Sequence, residues 1–126
     1  MKDINLNQYD FFVGVPDSAL KGIIEQIEKT DKRHIIAVNE AHAVAIAFGA
    51  VLAGKNPCVY LQNSGLGNII NPLTSLCIPS EIEPFLLIGH RHTIEQHKIM
   101  GEIDEKILKI LNYKNYAIYR GHNNVK

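Results

Sequence analysis

Five short apolar runs, each ending at a polar residue, glycine or proline, constrain this chain more than any other feature. Phe11-Phe12-Val13-Gly14-Val15 stops at Pro16, and His34-Ile35-Ile36-Ala37-Val38 stops at Asn39. Cys58-Val59-Tyr60-Leu61, Phe85-Leu86-Leu87-Ile88 and Tyr116 to Tyr119 complete the set. Continuous apolar runs of this length mark strands buried on both faces. Helical spacings alternate with them. Leu20, Ile23, Ile24 and Ile27 recur after Asp17 and Ser18, both good N-cap types. Residues 40–53 are alanine-rich and apolar nearly all round, with Gly54 placed as the C′ residue. A short helix is expected around Pro72 to Leu76, with Pro72 in its first turn, and Ile103, Ile107, Leu108 and Leu111 trace another. The alternation predicts an α/β fold, an open and mainly parallel sheet with helices on both faces.

At 126 residues the chain has the length of one domain, 1–126, and its 46% hydrophobic and 21% charged residues exclude intrinsic disorder. Thirteen basic residues offset thirteen acidic ones. A nucleic-acid binder needs a basic surplus for counterion release, so that class is set aside, and near-zero net charge favours association with a partner. No apolar run reaches the roughly 18 residues of a membrane span, and MKDINLNQYD lacks the apolar stretch of a signal peptide. Cys58 and Cys77, in apolar surroundings and without metal-ligand spacing, read as reduced core thiols of a cytoplasmic protein.

Ligands of open parallel sheets sit beyond the carboxyl ends of the strands. Here those ends carry Gly14 to Ser18, Asn39-Glu40, Gln62 to Asn68, and Gly89 to His92. Glu40 opens an apolar helix, either as a first-turn acid that favours the helix dipole or as a carboxyl held in a dry pocket for proton transfer. The polar loop Gln62-Asn63-Ser64-Gly65-Leu66-Gly67-Asn68 is a candidate ligand cradle, although its glycines match neither a Walker loop nor a dinucleotide fingerprint. His90, His92 and His97 lack the acidic or cysteine partner of a closed zinc site, so no metal is assigned to them. Arg91 suits a phosphonate, sulfonate or carboxylate, and Asp17 and Ser18 cap their helix without being barred from a second task.

Taken together, Gly14-Val15-Pro16-Asp17-Ser18, Asn39-Glu40-Ala41-His42-Ala43-Val44-Ala45 and the long segment from Gln62 through Asn71-Pro72-Leu73-Thr74-Ser75-Leu76 resemble the pyrimidine-binding domain of thiamine-diphosphate-dependent decarboxylases. The resemblance is strongest to phosphonopyruvate decarboxylase and the alpha subunit of sulfopyruvate decarboxylase, and runs from about Phe11 to Leu111. It implies that Glu40 is the glutamate that hydrogen-bonds the cofactor's aminopyrimidine and promotes loss of the thiazolium C2 proton, with the electron sink supplied by the cofactor. It further implies that Pro16, Asn63, Ser64 and Gly65 line the cofactor pocket, with Asp17, Ser18 and Asn63 near the substrate. Asp17 and His97 fall where relatives keep ionisable groups for substrate binding and protonation. Arg91 as the anion partner is inferred from its chemistry alone.

The expected reaction is decarboxylation of a small 2-oxoacid, phosphonopyruvate first and sulfopyruvate as the alternative; a non-catalytic pairing domain of the same fold is the rival. In relatives the diphosphate and Mg2+ are held by a second domain through a Gly-Asp-Gly segment and an asparagine pair. This chain has no Gly-Asp-Gly, and Asn123-Asn124 lacks the context. The expectation is therefore a domain shortened at its C-terminus, working in a homo- or hetero-oligomer with a diphosphate-binding domain or beta subunit.

Overall fold

The computed structural model describes residues 3–121 and Val125; Asn123 and Asn124 lie outside the described residues. Five strands form one all-parallel sheet in the order β2-β1-β3-β4-β5. They are β1 (Phe11–Gly14), β2 (Arg33–Ile36), β3 (Pro57–Gln62), β4 (Phe85–Gly89) and β5 (Tyr116–Tyr119). Four helices connect them, α1 (Lys21–Glu28), α2 (Glu40–Leu52), α3 (Leu66–Pro72) and α4 (Glu95–Ile110). The five apolar runs thus become the five strands. The second ends earlier than its pattern implied, because Ala37 and Val38 lead out of the sheet and Val38 is 84% exposed.

The placement of the helices follows from crossover handedness. The chain steps from β1 to β2, then returns past β1 to β3 and continues the same way to β4 and β5. Right-handed crossovers therefore put α1 on one face and α2, α3 and α4 on the other. The core divides accordingly. Val13, Val59, Leu61, Leu86 and Ile88 meet Ala43, Val44, Ala47, Ile69 and Leu108 on the three-helix face. Phe12, Cys58, Tyr60, Phe85 and Leu87 meet Leu20, Ile23 and Ile27 on the α1 face. The N-terminal segment covers what α1 does not reach, with Tyr9 stacked on Phe85 at 4.8 Å. Cys58 and Cys77 are free and buried, and burial pushes both thiols up, Cys77 to about 11, so neither is a ready nucleophile.

Local chemistry sets the helix ends. Asn39 caps α2 by accepting the His42 N–H at 2.9 Å, and Gly54 adopts φ +84°, the left-handed turn-off expected of it. Two features depart from the sequence reading. The polar stretch after β3 is not an extended loop: Asn63–Gly65 form a 3-10 turn that runs straight into α3. Pro72 consequently ends α3 instead of opening a helix. It has no N–H for the Asn68 carbonyl, and the chain widens into a π-helical turn, Leu73–Cys77, closed by Ile78 N–H to Leu73 O at 2.9 Å. Among the described residues no helix is long and apolar enough to cross a membrane.

Candidate functional site

The order of the strands reverses between β1 and β3, and a doubly wound sheet opens a crevice at that point beyond its carboxyl ends. Glu40, the first residue of α2, stands there half-buried. Its Oε2 accepts the Asn68 side-chain N–H at 2.8 Å. Gly65 lies directly beneath: a Cβ at that position would come within 2.5 Å of Glu40 Cγ and 2.8 Å of Oε1. The glycine is thus required by close approach, and the contact joins α2 to the turn after β3. Oε2 is committed to Asn68 while Oε1 makes no hydrogen bond among the described residues, so the carboxyl keeps one oxygen for a ligand. Glu40 is less enclosed than the dry pocket envisaged from its apolar helix.

Asn63 is fully buried after β3. Its Nδ2 donates to Arg91 O and to Asp104 Oδ2, each at 3.0 Å, while its Oδ1 is buried without a partner. Ser64 beside it is exposed. Arg91, after β4, sets Nη1 3.5 Å from Asp17 Oδ2, and Asp17 Oδ1 accepts the Ala19 N–H at 2.8 Å. Asp17 is therefore both cap and ion-pair partner, spanning the ends of β1 and β4. His97, in the first turn of α4, accepts at Nδ1 from Gln62 Nε2 at 3.2 Å, which leaves the neutral ring its proton on Nε2. Pro16 and Ser18 are exposed and line an open cleft of about 410 Å³ with Lys21 and Glu25, on the α1 side and without Glu40.

The fold thus gathers Glu40, Asn63, Gly65, Asp17, Arg91 and His97 along one sheet edge, and leaves Pro16 and Ser18 at its margin. His92 faces outward, 3.9 Å from Glu102. Among the described residues no three histidine, cysteine, aspartate or glutamate side chains converge as metal ligands would. Sequence reasoning missed Asp104 and gave Asn68 no part of its own. Asp104 carries a readable signal: an acid four residues before the buried Leu108, on the inward stripe of α4. Asn68 carries none, since its contact depends on how two helices meet.

No family model matches the chain. The alpha subunit of sulfopyruvate decarboxylase from Methanocaldococcus jannaschii is 38% identical over 122 residues, taking in 92% of this chain and 70% of that subunit. The corresponding subunit from Methanothermobacter thermautotrophicus is 34% identical over 116 residues, 88% of this chain and 68% of the subunit. Phosphonopyruvate decarboxylase from Streptomyces viridochromogenes is 38% identical over 103 residues, 77% of this chain but 26% of that protein.

Proposed function

Since the chain belongs to the family of sulfopyruvate decarboxylase alpha subunits and phosphonopyruvate decarboxylases, we propose that it is the pyrimidine-binding half of a thiamine-diphosphate-dependent 2-oxoacid decarboxylase. The observation that carries this reading is Glu40: a carboxyl at the switch point, held by Asn68 on one oxygen, with the other free over a glycine. Sulfopyruvate is the better-supported substrate. The sulfopyruvate subunits are matched over about two thirds or more of their length, the phosphonopyruvate enzyme over a quarter, which reverses the order in which the sequence placed them.

The residues present fit the pyrimidine end of the cofactor. Glu40 offers an uncommitted oxygen, Gly65 lets the glutamate side chain seat against the turn after β3, and Asn63 Oδ1 is a buried acceptor awaiting a donor. When bound, thiamine diphosphate supplies the nucleophilic carbon and the electron sink for loss of CO2. Glu40 would hold a proton at Oε1, because Asn68 already donates to Oε2, and would share it with a ring nitrogen of the bound cofactor. Arg91 receives the acidic tail of the substrate, with Asp17 as the counter-charge that tail displaces. His97 presents Nε2–H as the donor to the carbon that loses CO2. The diphosphate and Mg2+ are assigned to a beta-type partner, in keeping with the relatives' designation as alpha subunits. Val38 and Leu52, 84% and 67% exposed around the ends of α2, are apolar surface for such a partner to cover. Two buried free thiols accord with a reducing compartment, the cytoplasm.

Reconstitution tests the reading. The chain, a diphosphate-binding partner, thiamine diphosphate and Mg2+ are expected to release CO2 from sulfopyruvate faster than from phosphonopyruvate. The chain alone is expected to be inactive. Turnover unaffected by Glu40→Gln would end the proposal.

A further inference from the structure

A buried polar cluster lies behind this edge, and the roles assigned above leave its centre unused. Asp104, midway along α4, is 3% exposed. Its Oδ2 stands 2.6 Å from His90 Nδ1 and 3.0 Å from Asn63 Nδ2, and its Oδ1 accepts the Glu105 N–H at 2.7 Å. One carboxyl group on α4 therefore ties the residue after β3 to the residue after β4.

The hydrogen bonds fix the polarity of both partners. Asp104 Oδ2 and Arg91 O are acceptors facing one end of the Asn63 amide, so that end is the NH2. Turned over, the amide would set its oxygen against a carboxylate and a carbonyl. Oδ1 is the end left over, and it is buried without a partner among the described residues. A buried carbonyl in that state bears its full desolvation penalty until a donor reaches it. The same reasoning applies to His90. Both oxygens of Asp104 already accept from N–H groups, so the proton of the 2.6 Å contact sits on Nδ1. The other ring nitrogen is then the acceptor of the neutral ring, on a side chain 17% exposed.

We propose that Asp104 is a positioning residue that makes this part of the edge a donor-reading subsite, holding Asn63 Oδ1 and His90 Nε2 as acceptors for an N–H or O–H of the bound ligand. The proposal rests on the reading of this edge as the ligand site, and deepens it in one respect. An amide oxygen repels a sulfonate or carboxylate, so the acidic tail of the substrate is turned away from Asn63 and toward the Arg91 guanidinium. Asp104 thus sorts the two ends of the ligand without touching it.

The full chain carries the first test, without cofactor or partner. Imidazole 1H–15N spectra, recorded above the titration of the ring and assigned with His90→Gln, are expected to show His90 protonated on Nδ1 with Nε2 bare. Asp104→Ala, which removes the oxygen that His90 Nδ1 and Asn63 Nδ2 share, is expected to move the proton toward Nε2 and to speed exchange of the Asn63 side-chain amide about tenfold. A wild-type ring protonated on Nε2 overturns the proposal even if the variant does not fold, as does an unchanged tautomer in a folded variant. In the assembled enzyme, Asp104→Ala is expected to raise KM for the 2-oxoacid about tenfold with little change in kcat. An unchanged KM overturns the subsite. The spectra do not depend on Glu40, so the fate of the decarboxylase reading and the fate of this one are separable.

Discussion

Two carboxyl groups at the same sheet edge are built in opposite ways. Glu40 is half-buried, accepts one side-chain hydrogen bond from Asn68, and has an uncommitted oxygen. Asp104 is buried, and its two oxygens meet an amide, an imidazole and a backbone N–H. A group with spare bonding capacity at a crevice is available to a ligand, whereas a satisfied one is available only to the protein. On the reading proposed above, the contrast separates proton chemistry from scaffolding within a single edge, and substitution can break it.

The largest effect is expected at Glu40. Glu40→Gln keeps the shape and the Asn68 contact but removes the proton, and should lower decarboxylation by roughly 10²–10⁴-fold, the usual worth of a general acid or base. Urea unfolding of the same variant should be close to wild type. Asp104→Ala should do the reverse in kind. It strands the Asn63 amide and the His90 ring in a buried site, and should cost about 2–4 kcal/mol of stability, read as a lower urea midpoint at unchanged slope. If Glu40→Gln unfolds the chain, or Asp104→Ala leaves the midpoint in place, the division between the two carboxyls is wrong.

A smaller effect is expected from Gly65→Ala, which acts on Glu40 without changing its chemistry. The added methyl would lie 2.5 Å from Glu40 Cγ, so the glutamate must swing aside. A displacement of this order at a reacting group costs up to about a hundredfold in rate. Turnover in the assembled enzyme should fall by about 10–100-fold while the circular dichroism spectrum is retained. Wild-type turnover would mean that the position of Glu40 is not critical.

Much of this was readable before any coordinates. The five apolar runs specified five strands, though β2, at the edge of the sheet, is not buried as its run implied, and Asn39 and Gly54 marked the ends of α2, because those signals are local. Glu40 could be singled out because a lone acid at the head of an apolar helix is a visible anomaly. The bend at Pro72 was misplaced, since whether a proline opens or closes a helix depends on where the preceding helix begins, here as early as Leu66. Asp104 was legible in principle, as an acid on the inward stripe of α4, but its partners lie 14 and 41 residues away and only the sheet brings them near. The Glu40 to Asn68 contact likewise depends on α2 and α3 packing side by side.

The smallest effect tests whether polar function is confined to the edge. His34 is on β2, and its Nε2 lies 2.7 Å from the Tyr60 hydroxyl, on the sheet face that α1 covers. Burial lowers the His34 pKa from 6.5, with Glu28 opposing, and burial raises that of Tyr60, so the pair is a neutral phenol donating to a neutral imidazole. A histidine with a depressed folded-state pKa binds protons more readily when unfolded. Its contribution to stability is therefore complete above about pH 6.5 and declines as the pH falls through and below that value. The proton resonances of His34 should titrate with a midpoint below 6.5, and His34→Gln should flatten the fall of the urea midpoint in that range. The ring is partly exposed, so the change is small. Decarboxylation should not respond to His34→Gln. A drop in turnover with stability intact would carry function across the sheet to the α1 face, beyond the edge that holds Glu40, Asp104 and their neighbours.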